Sequence, residues 1–85
     1  MNLCILMGKI ITDIEFEFII NSKNKSIAEF EIETLDHNIV KLCSYNEIAD
    51  YCYKNFHKDD IIFVYGKLNE NGKIIIEEVK KVDRV

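Results

Sequence analysis

Between Ile27 and Leu35 the chain alternates strictly: Ala28, Phe30, Ile32 and Thr34 fall between Glu29, Glu31 and Glu33. A period of two is that of a strand with one face buried and one in water. The same reading gives strands elsewhere. Leu3 to Ile11 is an aliphatic run interrupted at Gly8, where a missing side chain lets a strand coil sharply. Thr12 and Asp13 break that run, and Ile14 to Ile20 resumes as extended chain. Asn21 to Ser26 has the polar composition of a hairpin loop. Asp36, His37 and Asn38 form a short turn into a further strand, Ile39 to Tyr45, with Val40 and Leu42 facing the core and Ile39, Lys41, Cys43 and Tyr45 facing outward.

Asn46 is a suitable N-cap for a helix over Glu47 to Phe56, because Ile48, Cys52 and Phe56 recur at i, i+4 and i+8 as one apolar stripe. Asp59 and Asp60 open another strand that runs to Leu68, and Asn71-Gly72 turns the chain into a last strand from Lys73 to about Val82. The order is three strands, one helix and two strands. A flat α+β sandwich is the competing arrangement. The lone helix between strands three and four favours an all-β, five-stranded Greek-key barrel of the OB-fold type, with the helix plugging one end. Closing the sheet also removes most exposed edges.

Composition narrows the reading. The 85 residues suffice for one domain, residues 1–85, and 48% hydrophobic content favours a packed core over disorder. Net charge is −4, the opposite of the basic balance that accompanies most phosphate-backbone partners, so the placement of individual lysines matters more than their total. The three cysteines, Cys4, Cys43 and Cys52, form no Cys-x-x-Cys pair and have no histidine at ligand spacing, so neither zinc nor a disulfide framework is indicated and no cofactor is implied. Met1 leads directly into a strand containing Gly8 and Lys9, which does not suit a signal peptide, and no apolar run reaches the length of a membrane span. The expected setting is the cytoplasm.

Several segments together resemble the bacterial single-stranded-DNA-binding protein (SSB) family. Asn2-Leu3-Cys4-Ile5-Leu6-Met7-Gly8-Lys9-Ile10 is similar to its opening strand, Ala28-Glu29-Phe30-Glu31-Ile32 to its second, and Ile48-Ala49-Asp50 to the start of its helix. Lys58 and Ile61 to Leu68 extend the likeness. The resemblance implies non-specific binding of single-stranded DNA in replication, repair or recombination. It places Tyr45 where the family keeps a base-stacking aromatic, and Lys41 where the family has a basic residue. Stacking on an aromatic ring is worth about 1–3 kcal/mol per base and tolerates any sequence. Ile39 occupies the position of a stacking Trp in the family, and the chain contains no Trp. The short Asn69 to Lys73 segment replaces a long hairpin, and with the sequence stopping at Val85 recruitment of other proteins through the family's acidic tail is not expected.

Lys9, Lys67 and Lys73 are further candidates to line a groove with Lys41, although outward lysines on strands are ordinarily just solvated. Ile61, Phe63 and Tyr65 share one strand face opposite Ile62 and Val64, so one apolar set points away from the barrel interior. That row is expected to be a subunit interface in a homo-oligomer, a dimer or tetramer. His37 and His57 have no partner suited to a catalytic relay, and Glu29, Glu31 and Glu33 have no accompanying base or phosphate loop, so no enzyme is expected. The alternative to DNA binding is an OB-fold protein-interaction or accessory subunit, resembling replication-restart proteins, whose glutamate row meets a basic partner.

Overall fold

The aliphatic run at the start of the chain forms β1 (Leu3–Ile10), whose buried positions alternate with exposed ones. The structure is a computed structural model that describes residues 3–21, 23 and 25–82. Asn2 of the opening motif, Ser22 and Asn24 of the expected hairpin loop, and Val85 lie outside them. The remaining strands are β2 (Glu15–Ile19), β3 (Lys25–Thr34), β4 (Ile39–Tyr45), β5 (Ile61–Leu68) and β6 (Ile74–Lys81), with one helix, α1 (Asn46–Asn55), between β4 and β5.

β1, β3, β4, β5 and β6 close into the expected five-stranded barrel. β1 pairs with β5 along most of its length and with β3 at its C-terminal end, where Gly8 lies opposite Thr34 and Lys9 opposite Glu33. Opposite that seam, β4 and β6 pair in parallel, Leu42 with Ile74 and Cys43 with Ile75. β2 is a sixth strand. It pairs only with β3, as an edge lying outside the closed ring.

The inward set of the Glu-rich strand, Ala28, Phe30 and Ile32, is buried with Ile10, Leu42, Ile62, Val64, Ile74 and Ile76, and α1 lays Ala49, Cys52 and the following Phe56 over the open end. Ile48 of the predicted helical stripe is only half-buried. No helix among the described residues is long and apolar enough to cross a membrane.

Three local expectations need correction. Lys25 and Ser26 belong to β3 and pair with Ile19 and Phe18, so the hairpin loop is shorter than its polar composition suggested. Asn46 does not cap α1 from outside. It is the first helical residue, with φ 56, Tyr45 holds the cap position in extended backbone, and no side chain accepts a capping hydrogen bond there. Cys43 faces out of β4 yet is buried, because the parallel pairing to β6 brings Ile75 beside it.

Candidate nucleic-acid interface

The outer face of β3 and β4 is ordered by register. Ile27 lies opposite Tyr45, Glu29 opposite Cys43, Glu31 opposite Lys41 and Glu33 opposite Ile39. Tyr45 and Ile39 therefore bound a lane about 20 Å long, since a strand rises roughly 3.3 Å per residue. Lys9 joins the Ile39 end through its own pairing with Glu33. Beside the middle of the lane, a cleft of about 220 Å³ lies between Thr12, Glu15, Glu29, Glu31, Lys41 and Lys73. Its wall is fixed by the β1–β2 connection, where Thr12 Oγ1 accepts the Glu31 backbone N–H at 3.0 Å and the Ile11 N–H donates to the Glu31 carbonyl at 2.9 Å.

The predicted lysines are not equivalent. Lys73 reaches across from the β5–β6 turn and donates to Glu29 Oε2 at 2.5 Å, a contact that raises its pKa above the ordinary lysine value, first by hydrogen bonding and then by charge. That ion pair also relieves the repulsion between Glu29 and Glu15, which face each other directly across β2 and β3. Lys67 projects from β5 and pairs with Glu77 at 3.6 Å. Lys9 and Lys41 are exposed and make no ion pair among the described residues. The structure thus holds two of the four candidate cations on carboxylates and leaves two to solvent.

Tyr45 is half-buried. Its phenol pKa is raised, chiefly by hydrogen bonding with Cys43 and by the negative charge of that residue's thiolate form, and then by burial and Glu29, against a smaller lowering by Lys73. The ring is therefore neutral at physiological pH, as a stacking surface requires. The Lys25 ammonium sits 4.3 Å from the ring centroid. Composition had assigned Lys25 to a loop, and a longer β3 was the missing signal: Lys25 lies two residues before Ile27, Tyr45's partner, and so on the same face. The Glu29–Lys73 pair was equally hidden, because its members are 44 residues apart in sequence.

On the other side of the barrel, Phe63 and Met7 are paired across β5 and β1, as are Tyr65 and Ile5. Phe63 is 44% exposed and Ile5 59%, with Leu3 and Met7 also exposed, so the Ile61, Phe63 and Tyr65 row continues onto the neighbouring strand as one apolar face.

Neither a protein-family model nor a curated protein sequence matches the chain. Solved structures do match its fold. The wild-type single-stranded DNA binding protein from Thermus aquaticus superposes with a TM-score of 0.86 at 17% identity, over 100% of this chain and 42% of that one. A deletion mutant of the same protein gives 0.86 at 16% identity. The SSB domain of a Synechococcus sp. protein gives a TM-score of 0.79 at 17% identity, covering 93% of each chain. The architecture is thus an SSB-like OB-fold. This chain spans less than half the length of the Thermus protein.

Proposed function

We propose that the protein binds single-stranded DNA weakly and without sequence preference, laying the strand along the outer face of β3 and β4. The observation that carries this reading is Tyr45, a neutral, half-buried ring at the end of β4 in an SSB-like barrel, on the same strand face as the unpaired ammonium of Lys41. A base stacks on Tyr45, Lys41 and Lys9 meet phosphates, and Ile39 offers apolar contact at the far end of the lane. Lys67 and Lys73 contribute only when they leave Glu77 and Glu29.

Affinity is low for a stated reason. The outward face of β2, β3 and β4, with the adjoining turn and Lys9 of β1, carries five carboxylates, Glu15, Glu17, Glu29, Glu31 and Glu33, against four ammonium groups, Lys9, Lys25, Lys41 and Lys73, an excess of one negative charge. Salt screens that repulsion only in part. Several copies joined through the Ile61, Phe63 and Tyr65 face raise avidity without improving any one site. The role belongs to replication, repair or recombination in the cytoplasm.

Fluorescence anisotropy of labelled oligo-dT, titrated at low and then moderate salt, tests this. Saturable binding that weakens with salt, and by about 5- to 150-fold in Tyr45→Ala, is the expected result. No binding at low salt and high protein concentration overturns it.

The carboxylate excess favours one second reading, an OB-fold module that docks a basic protein partner. Changing Glu29 and Glu31 together to Lys separates the two, since it strengthens DNA binding under the first reading and abolishes partner binding under the second.

A further inference from the structure

Lys25 was outside every expectation for the site, yet its ammonium is the one cation seated on an aromatic ring among the described residues. Its place follows from β3. Lys25 opens the strand opposite Ile19, an apolar neighbour, and makes no ion pair among the described residues. Lys25 is exposed and Tyr45 half-buried, so the ammonium sits over the ring at the surface of the protein, at the end of the lane beyond the Glu29–Lys73 pair.

A base and an ammonium cannot occupy the same face of one ring. A cation on a tyrosine at the surface favours that arrangement by a factor of about two to five, whereas a stacked base is worth about 5- to 150-fold, so the base displaces the cation. The displaced ammonium stays on a flexible four-carbon stem anchored beside the ring, within reach of the phosphates that flank the stacked base.

We propose that Lys25 is a phosphate-binding residue of this same site: its ammonium caps Tyr45 in the free protein and transfers to the DNA backbone when a base takes its place. The inference rests on the single-stranded-DNA reading and adds to it a cation that is uncommitted to any carboxylate, unlike Lys67 and Lys73.

The salt dependence of oligo-dT binding by wild type, Lys25→Met and Lys25→Arg tests the exchange. Each phosphate neutralised on a single strand adds about 0.7 to the slope of log K against log salt. Lys25→Met, whose stem fills the same space without charge, should lose about 0.7 of slope and bind roughly tenfold more weakly at low salt, the gap closing as salt rises. Lys25→Arg should keep the wild-type slope. If Lys25 is only a lid on the ring, Lys25→Met binds more tightly at every salt concentration with the slope unchanged, and the inference fails while the DNA reading stands. If wild type binds no oligo-dT, both fail together. Far-ultraviolet circular dichroism of each variant confirms that the barrel is intact.

Discussion

Cys52 and Lys73 show how differently the surroundings act on two titrating side chains. Cys52 lies on the inner side of α1 with no exposed surface, and burial pushes its thiol up to about 11, with the Ser44 hydroxyl opposing weakly. Lys73 is raised through contact with Glu29 at the surface. For both, the folded state holds the proton more tightly than the unfolded chain, so the stability they contribute is complete below the ordinary pKa and declines above it. For Cys52 the decline begins near the ordinary value of 9.0 and ends near 11. A shift of that size corresponds to roughly 2–3 kcal/mol. Urea melts of wild type and Cys52→Ala between pH 7 and the alkaline range measure it. The variant is less stable at neutral pH because it leaves a cavity, but its alkaline limb is flatter; parallel limbs would show that the thiol titrates no differently when folded. Legibility at this scale followed local order. Tyr45 and Lys41 were placed by the alternation of β4 and by family resemblance. The Glu29–Lys73 pair depends on how the β5–β6 turn lies against β3, which no local pattern encodes, and the burial of Cys43 depends on a parallel pairing that its own strand does not reveal.

The elements themselves were almost all legible, because alternation and the helical stripe are local signals. Boundaries were less so. Residues 14–20 were expected as extended chain continuing the first strand, and the structure makes Glu15–Ile19 a separate edge strand that lengthens its hairpin partner to Lys25. Polar residues near a loop look alike whether or not they pair, so only the register with Phe18 and Ile19 distinguishes them. Glycines mark two other element-level constraints. Gly66 sits at a register irregularity between β5 and β6, and a Cβ there would lie 2.3 Å from the Ile75 carbonyl oxygen and 2.9 Å from Ile74 Cγ2. Gly72 has φ 79 in the Asn69–Lys73 turn, where Asn69 Oδ1 accepts the N–H groups of Asn71 and Lys73 and a Cβ would meet open space. Gly66→Ala must push two strands apart and should cost about 1–3 kcal/mol or more. Gly72→Ala pays only for a left-handed backbone, about 1–2 kcal/mol. Thermal unfolding of the two variants should rank them in that order, and equal losses would mean that the barrel yields easily at Gly66.

Two stretches of sheet edge in the barrel are unlike. β2 is an edge strand whose outward face carries Glu15 and Glu17, charges that discourage another strand from pairing beside it. On β1, β5 lies along one flank and β3 pairs with the other from Gly8 onward, and the stretch before Gly8 carries the exposed side chains of Leu3, Ile5 and Met7. A second copy meeting β1 and β5 here would cover the apolar face that Leu3, Ile5 and Met7 form with Ile61, Phe63 and Tyr65. Light scattering after gel filtration should then give a mass of at least twice the 10.0 kDa of the chain. Ile5→Asp, which places a charge in the middle of the face without touching the core, should return the monomer. Salt supplies a second readout. Each chain carries a net charge of −4, so self-association is opposed by repulsion and strengthens as salt rises. Oligo-dT binding to the lysines weakens over the same range. Opposite salt responses of assembly and of DNA binding, with Ile5→Asp losing avidity for long oligo-dT but not affinity for short ones, would place the two functions on the two sides of the barrel. A wild-type mass of 10.0 kDa at every concentration and salt would instead leave the exposed face of β1 and β5 without a second copy of the chain to cover it.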